Sequence, residues 1–192
     1  MLLTLSERNE KWVKEEGGIE HPTRKETLEK PEQKKRIQWL KEHVTGKVLD
    51  VGCNWGYVSN EIGACAGIDI NPENIKMAER EFPEIEFSVG NAYAMPFEDK
   101  SCDTVVLADI LEHIPLRRVS DVLEEAERCA SKKILITLPA MQTEDCALCF
   151  KHKWIPSEPE NLGVVVLDIL YSLGNITLVC DIHFIYIEVD VA

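Results

Sequence analysis

The sequence predicts an α/β domain, doubly wound around a mostly parallel seven-stranded sheet that closes in an antiparallel hairpin. Three observations predict it. From residue 47 onward, short apolar strand-like runs alternate with segments of helical period. A glycine-bearing turn, Gly52-Cys53-Asn54-Trp55-Gly56, follows the first of those runs directly. The last two runs have little more than Asp181 between them. A parallel crossover takes about a dozen residues, so these two must pair antiparallel.

The elements follow in order. Residues 1–30 are polar and broken by Gly17-Gly18 and His21-Pro22, which suits short helical pieces lying over another surface. Residues 32–43 set Ile37, Leu40 and Val44 at helical spacing, and Gly46 stops that helix. The five strands of the parallel part are expected at Lys47–Val51, Cys65–Ile70, Ile85–Val89, Cys102–Ala108 and Lys133–Leu138. Between them, helices are expected at Tyr57–Ile62, from Asn71 to about Phe82, and at Leu116–Ala130. Asn71-Pro72 supplies an N-cap followed by proline at the first helical position. Ser157 and Glu160 fit a capping box for a helix reaching about Leu173, with Gly174 past its end. Ile176–Cys180 and the alternating Ile182–Val191 are the closing strands. We divide the chain into an N-terminal helical arm or lid, residues 1–45, and a main domain, residues 46–192, with a substrate-side insertion near 140–156.

Composition narrows the function classes. The chain has 192 residues with 45% hydrophobic content, enough to bury one full core and a tight fit for two. No apolar run reaches the roughly 18 residues of a membrane span. The opening MLLTLSERNE lacks the basic start of a secretory signal. Seven cysteines, an odd number sitting mostly in apolar runs, read as reduced thiols of a cytoplasmic protein. Net charge is −13, and residues 156–192 carry no Lys or Arg at all. Nucleic acid partners want a basic face. The basic clusters Arg24-Lys25 and Lys34-Lys35-Arg36 are interleaved with glutamates and read as a solvated helix face. Nucleic acid is therefore disfavoured as a partner.

The turn after the first strand carries the functional signal. Gly52 lets the backbone turn sharply under an approaching ligand. Asn54 is one of the few side chains that accept the left-handed region. Asp69 ends the second strand, where a carboxylate can accept hydrogen bonds from ribose hydroxyls. A dinucleotide fingerprint is G-x-G-x-x-G, because a pyrophosphate needs close amide contacts. Here the pattern is G-x-N-x-G, with Asp50 two residues before it. An acidic turn repels a pyrophosphate and suits a nucleoside with a cationic tail.

DVGCNWGYVS, followed by GIDINPENIKMAE, GNAYAMPFEDKSCDTVVLADILEHIP and ILITLP, strongly resembles the class I S-adenosylmethionine-dependent methyltransferases, a Rossmann-like family. The resemblance spans about residues 36–140, and four segments in order at these spacings make it specific. It implies S-adenosyl-L-methionine as cofactor and S-adenosyl-L-homocysteine as product. By the same resemblance, Asp50, Gly52, Cys53, Asn54 and Gly56 form the pocket for the methionine part. Asp69 binds both ribose hydroxyls, with Ile70 beside the adenine. Asn91 and Ala92 meet the adenine edge, although the family more often has Asp where Asn91 stands. Ala108 and Asp109 lie beside the methionine and the reactive methyl. The chain departs from the pattern in a glycine-turn helix and second strand about four residues shorter than usual, which trims the pocket edge.

The Asn/Asp-Pro-Pro-aromatic motif of amino-group methylation on nucleobases is absent, and ADILEHIP stands in its place. That form resembles methyltransferases of small molecules, commonly acting at oxygen. Displacement from a sulfonium has a good leaving group, so positioning supplies much of the rate. A base is needed only for a protonated nucleophile. His113, just past the fourth strand, is the candidate base, and its competing role is to hold the loop together with Glu112. His21 in the arm, and His152 and Trp154 in the insertion, are substrate-side candidates. Cys146, Cys149 and His152 make three clustered metal ligands where structural zinc wants four, so no metal is assigned. Three alternatives stay open: a protein or peptide methyltransferase, a non-catalytic methyltransferase-like partner subunit, and an NAD-dependent oxidoreductase, which the spacing disfavours.

Overall fold

The computed structural model describes residues 25–114, 118–139, 175–181 and 184–191. Their elements are α1 (Lys25–Leu28), α2 (Pro31–His43), β1 (Val48–Val51), α3 (Tyr57–Glu61), β2 (Ala66–Asp69), α4 (Pro72–Glu81), β3 (Glu86–Val89), β4 (Cys102–Ala108), α5 (Val119–Cys129), β5 (Ala130–Pro139), β6 (Asn175–Cys180) and β7 (Phe184–Asp190). The expected helix at 157–173 and the insertion near 140–156 lie outside the described residues.

The seven strands form one sheet in the order β3-β2-β1-β4-β5-β7-β6. The first five are parallel to their neighbours, while β7 runs antiparallel to both β5 and β6. The closing pair is the expected antiparallel hairpin. It does not simply extend the sheet, however: β7 wedges between β5 and β6. Strand order reverses between β1 and β4, which opens a crevice at the carboxyl ends of those strands.

Period-two alternation along the central strands sends side chains to two helical layers. Leu49, Val105, Leu107, Ile134 and Ile136 face α5, whose Val119, Val122, Leu123 and Ala126 form one buried stripe. Val48, Val106 and Leu135 face the other way, onto Leu40 of α2 and onto Ile62 and Ala64 after α3. A third cluster joins Cys53 of the glycine turn to Ile75 and Ala78 of α4 and to Phe87 of β3. Local chemistry explains the helix starts. Asn71 caps α4 by accepting the Glu73 N–H, and Pro72 follows at the first helical position. Pro31 opens α2 in the same way. β5 begins at Ala130, earlier than the expected Lys133, because Ala130 already pairs with Cys102. Its two lysines are neutralised, Lys132 by Asp103 and Lys133 by Glu188.

Candidate functional site

The site is built from the turns that leave β1, β2 and β4. After β1 the backbone takes positive φ three times, at Gly52 (+77°), Asn54 (+53°) and Gly56 (+78°). The Gly52 and Cys53 N–H groups both donate to the Ile68 carbonyl, so the turn is stitched onto β2. Gly56 is the left-handed N-cap of α3, and a Cβ there would lie 2.6 Å from Phe87 Cζ. The expected tolerance of Asn54 for the left-handed region is what the turn uses.

Asp69 organises this turn from its side. Its Oδ2 accepts the Asn54 N–H at 2.9 Å, and its Oδ1 accepts the Asn71 N–H at 2.8 Å and Asn74 Nδ2 at 3.2 Å. Burial raises its pKa, and those three donors oppose the rise. A carboxylate offers about four lone-pair positions. One, on Oδ2, is left for an incoming hydroxyl, and a second hydroxyl must displace Asn74. Asp50 is 1% exposed beneath the turn, where Oδ2 accepts the Ser59 hydroxyl at 2.6 Å. Burial pushes its pKa up to about 6, against the Ser59 hydrogen bond and the nearby Arg36 charge. Asp50 thus shapes the turn from inside. The Cys53 thiol is likewise buried, and burial together with Asp50 and Asp69 pushes its pKa far up, so it stays a thiol.

At the end of β4, Asp109 stands at φ +53°. Its N–H donates to the Thr137 carbonyl at 3.1 Å, and its Oδ1 accepts the Thr137 hydroxyl at 2.8 Å. Its Oδ2 pairs with Arg36 Nη1 at 3.0 Å. Burial raises the Asp109 pKa, and Arg36 and then Thr137 oppose it. Arg36 corrects the reading of Lys34-Lys35-Arg36 as a solvated face, because it is only 3% exposed. Arg36 precedes Leu40 by one helical turn, which sets it on the buried side of α2. Its guanidinium carbon lies 5.5 Å from the Phe184 ring centre, and Nε donates to Gln33 Oε1.

The remaining candidates flank these groups. Asn91 Oδ1 accepts the Tyr93 N–H at 2.9 Å, which keeps one carbonyl lone pair in place for a ligand amine. Ala92 is buried, and Ile70 and Ala108 are half-buried. His113 belongs to a short 3₁₀ turn, Leu111–His113, with Nε2 3.8 Å from Glu112 Oε1 and its side chain 27% exposed. His21, His152, Trp154, Cys146 and Cys149 lie outside the described residues. Sequence reasoning also missed Ser59, Asn74 and Thr137, small polar residues whose partners appear only when the strands align.

Asp69 and Asp109 thus stand at the carboxyl ends of β2 and β4 with Asp50 buried under the turn between them, and the N–H groups of residues 52–56 are all taken by acceptors within the protein, so the turn offers none of them to a phosphate. The model of a methyltransferase domain matches residues 49–135. Norajmaline N-methyltransferase of Rauvolfia serpentina is 31% identical over 145 residues, covering 69% of this chain and 46% of that protein. Botryococcene C-methyltransferase of Botryococcus braunii is 36% identical over 96 residues, covering 43% of this chain and 24% of that one. The chain spans about a quarter to a half of the length of the curated relatives it matches. Magnesium protoporphyrin IX methyltransferase of Synechocystis, solved with bound S-adenosylhomocysteine, shares the fold with a TM-score of 0.60 at 18% identity, over 83% of this chain and 81% of that one. Among the described residues, no helix is long and apolar enough to cross a membrane.

Proposed function

We propose that this chain is a class I S-adenosylmethionine-dependent methyltransferase that transfers the cofactor's methyl group to a small-molecule acceptor, at an oxygen whose proton His113 removes. The observation that carries this reading is the left-handed turn Gly52–Asn54–Gly56 bound through its Asn54 N–H to Asp69. It sets a partly committed carboxylate beside the exit of β1, where a ribose is best received. The bound cofactor supplies an electrophilic methyl on a sulfonium, with a neutral thioether as leaving group.

The chain's own residues bind, orient and hold charge. Asp69 accepts one ribose hydroxyl on its remaining Oδ2 position, and accepts the second when Asn74 withdraws. Asn91 and Ala92 border the adenine, with Ile70 packed beside it. Asp50, Gly52, Cys53 and Gly56 fix the turn beneath the methionine part, while Ala108 and Asp109 border the reacting centre. His113, held near Glu112 and open to solvent on one side, takes the acceptor's hydroxyl proton on its neutral imidazole. An oxygen acceptor is supported by the ADILEHIP segment. A second reading, an amine acceptor, is supported by the name of the relative matched over 145 residues.

Calorimetric titration with S-adenosylmethionine, and separately with S-adenosylhomocysteine, tests the cofactor site. Micromolar binding of both is expected. A metabolite screen read by mass spectrometry then identifies the methylated atom. Binding of neither ligand would overturn the reading in favour of a scaffold that serves as a partner subunit, and methylation of peptides alone would replace the small-molecule acceptor.

A further inference from the structure

Among the described residues, the buried Arg36 pairs with the half-buried Asp109 and so bridges the helix before the sheet and the turn after β4. We propose that Arg36 is a positioning residue whose charge cancels that of Asp109 at the methyl-transfer centre, so that the carboxylate forms no ion pair with the cofactor's sulfonium. This rests on the reading that Asp109 borders the methionine part.

Three features of the geometry support it. Asp109 is held at three points: by its own N–H on the Thr137 carbonyl, by the Thr137 hydroxyl on Oδ1, and by Arg36 on Oδ2. Its backbone is in the left-handed region, so the turn keeps its shape only while those contacts hold. Arg36 in turn cannot drift. It is packed over Phe184, and its neighbour Lys35 pairs with Asp181 at 2.7 Å. Helix α2 thus carries two successive cations onto two acids, one at the end of β4 and one in the turn before β7. Tyr186 joins the second, donating its hydroxyl to Asp181 Oδ2 at 3.2 Å.

The reason for such a pair lies in the reaction. The sulfonium is positive before transfer, and its thioether product is neutral. A bare carboxylate beside it would favour the ground state and lose that attraction on the way to the transition state, which lowers kcat. A neutralised carboxylate keeps its hydrogen-bonding shape without that cost. Arginine stays protonated under all ordinary conditions, so the cancellation is permanent.

The inference is tested by the ratio of S-adenosylmethionine to S-adenosylhomocysteine affinity, measured by calorimetry on the full chain. Asp109→Asn leaves Arg36 uncompensated and shifts the ratio toward the neutral product by about tenfold. Arg36→Gln, measured at pH 9, leaves the carboxylate bare and shifts it toward the cation by a similar factor. The double variant R36Q/D109N returns to the wild-type ratio and stands as the control if either single variant folds poorly by circular dichroism. A role limited to folding weakens both ligands alike. Equal weakening in both single variants, or a double variant whose ratio differs from wild type, overturns the inference. Failure of the wild-type chain to bind either ligand instead overturns the cofactor reading, so the two failures are distinct.

Discussion

The Ser59 hydroxyl donates a 2.6 Å hydrogen bond to Asp50 Oδ2 in a pocket that water does not reach. That bond joins the last part of β1 to α3 beneath the glycine turn. It also makes the turn sensitive to pH. Burial raises the Asp50 pKa from 3.8 to about 6, so the folded chain holds this proton more tightly than the unfolded chain. The stability it confers is fully present below pH 3.8 and is lost as the pH rises through about 6. Asp50→Asn removes the effect while keeping an acceptor for Ser59. From pH 4 to pH 7 the stability difference moves in favour of the variant by about 2 kcal/mol, read by urea denaturation across that range. Ser59→Ala acts the opposite way, raising the Asp50 pKa further and costing about 1–3 kcal/mol at pH 7.

Asp69→Ala removes the acceptor for the Asn54 and Asn71 N–H groups and for Asn74. S-adenosylmethionine affinity is expected to fall about ten- to a hundredfold, the equivalent of one or two charge-assisted hydrogen bonds. Calorimetry on a variant shown to be folded decides the matter. An unchanged affinity sinks the ribose assignment.

Gly56→Ala places a methyl 2.6 Å from Phe87 Cζ and 3.1 Å from Phe82 Cδ2, at a φ of +78°. Both rings belong to the cluster under α4 and have little room to retreat. Backbone strain and overpacking together are expected to cost about 2–4 kcal/mol. The thermal transition should drop accordingly, and cofactor affinity should drop with it because the turn cannot close.

Arg128 holds the loop that carries Asn91 and Ala92. Its guanidinium donates to the Met95 and Phe97 carbonyls, to Asp99 Oδ1 and to both oxygens of Glu125, while Glu125 Oε2 also accepts the Met95 N–H. Arg128→Lys keeps the charge and loses the planar fork. We expect about 1–3 kcal/mol of destabilisation and weaker binding of adenosine-containing ligands. Retained affinity with lowered stability would confine Arg128 to the fold.

His113→Gln separates the acceptor classes. With a hydroxyl acceptor, kcat is expected to fall about 10²–10⁴-fold at little change in KM. With an acceptor that arrives unprotonated, the variant keeps its rate.

Much of the fold was legible because it rests on local rules. Asn71-Pro72 announces α4, and the brevity of the link at Asp181 forces the last two strands antiparallel. The shape of the turn after β1 was legible because Gly52, Asn54 and Gly56 are residues that left-handed backbone selects. Arg36 was misread because the triplet Lys34-Lys35-Arg36 looks uniformly polar. Its burial depends on Asp109 and Thr137, which approach only after β4 and β5 pair. The early start of β5 escaped for the same reason: Lys132 and Lys133 look like loop residues until Asp103 and Glu188 are seen to neutralise them.

The wedging of β7 between β5 and β6 also has a consequence for synthesis on the ribosome. While β5 and β6 have emerged and β7 has not, the apolar run Ile134–Leu138 presents an open hydrogen-bonding edge, since its eventual partner is residues 184–190. Such an edge invites pairing with other nascent chains. Lys132 and Lys133 sit at the entry of that run, and charged side chains in that position disfavour such pairing.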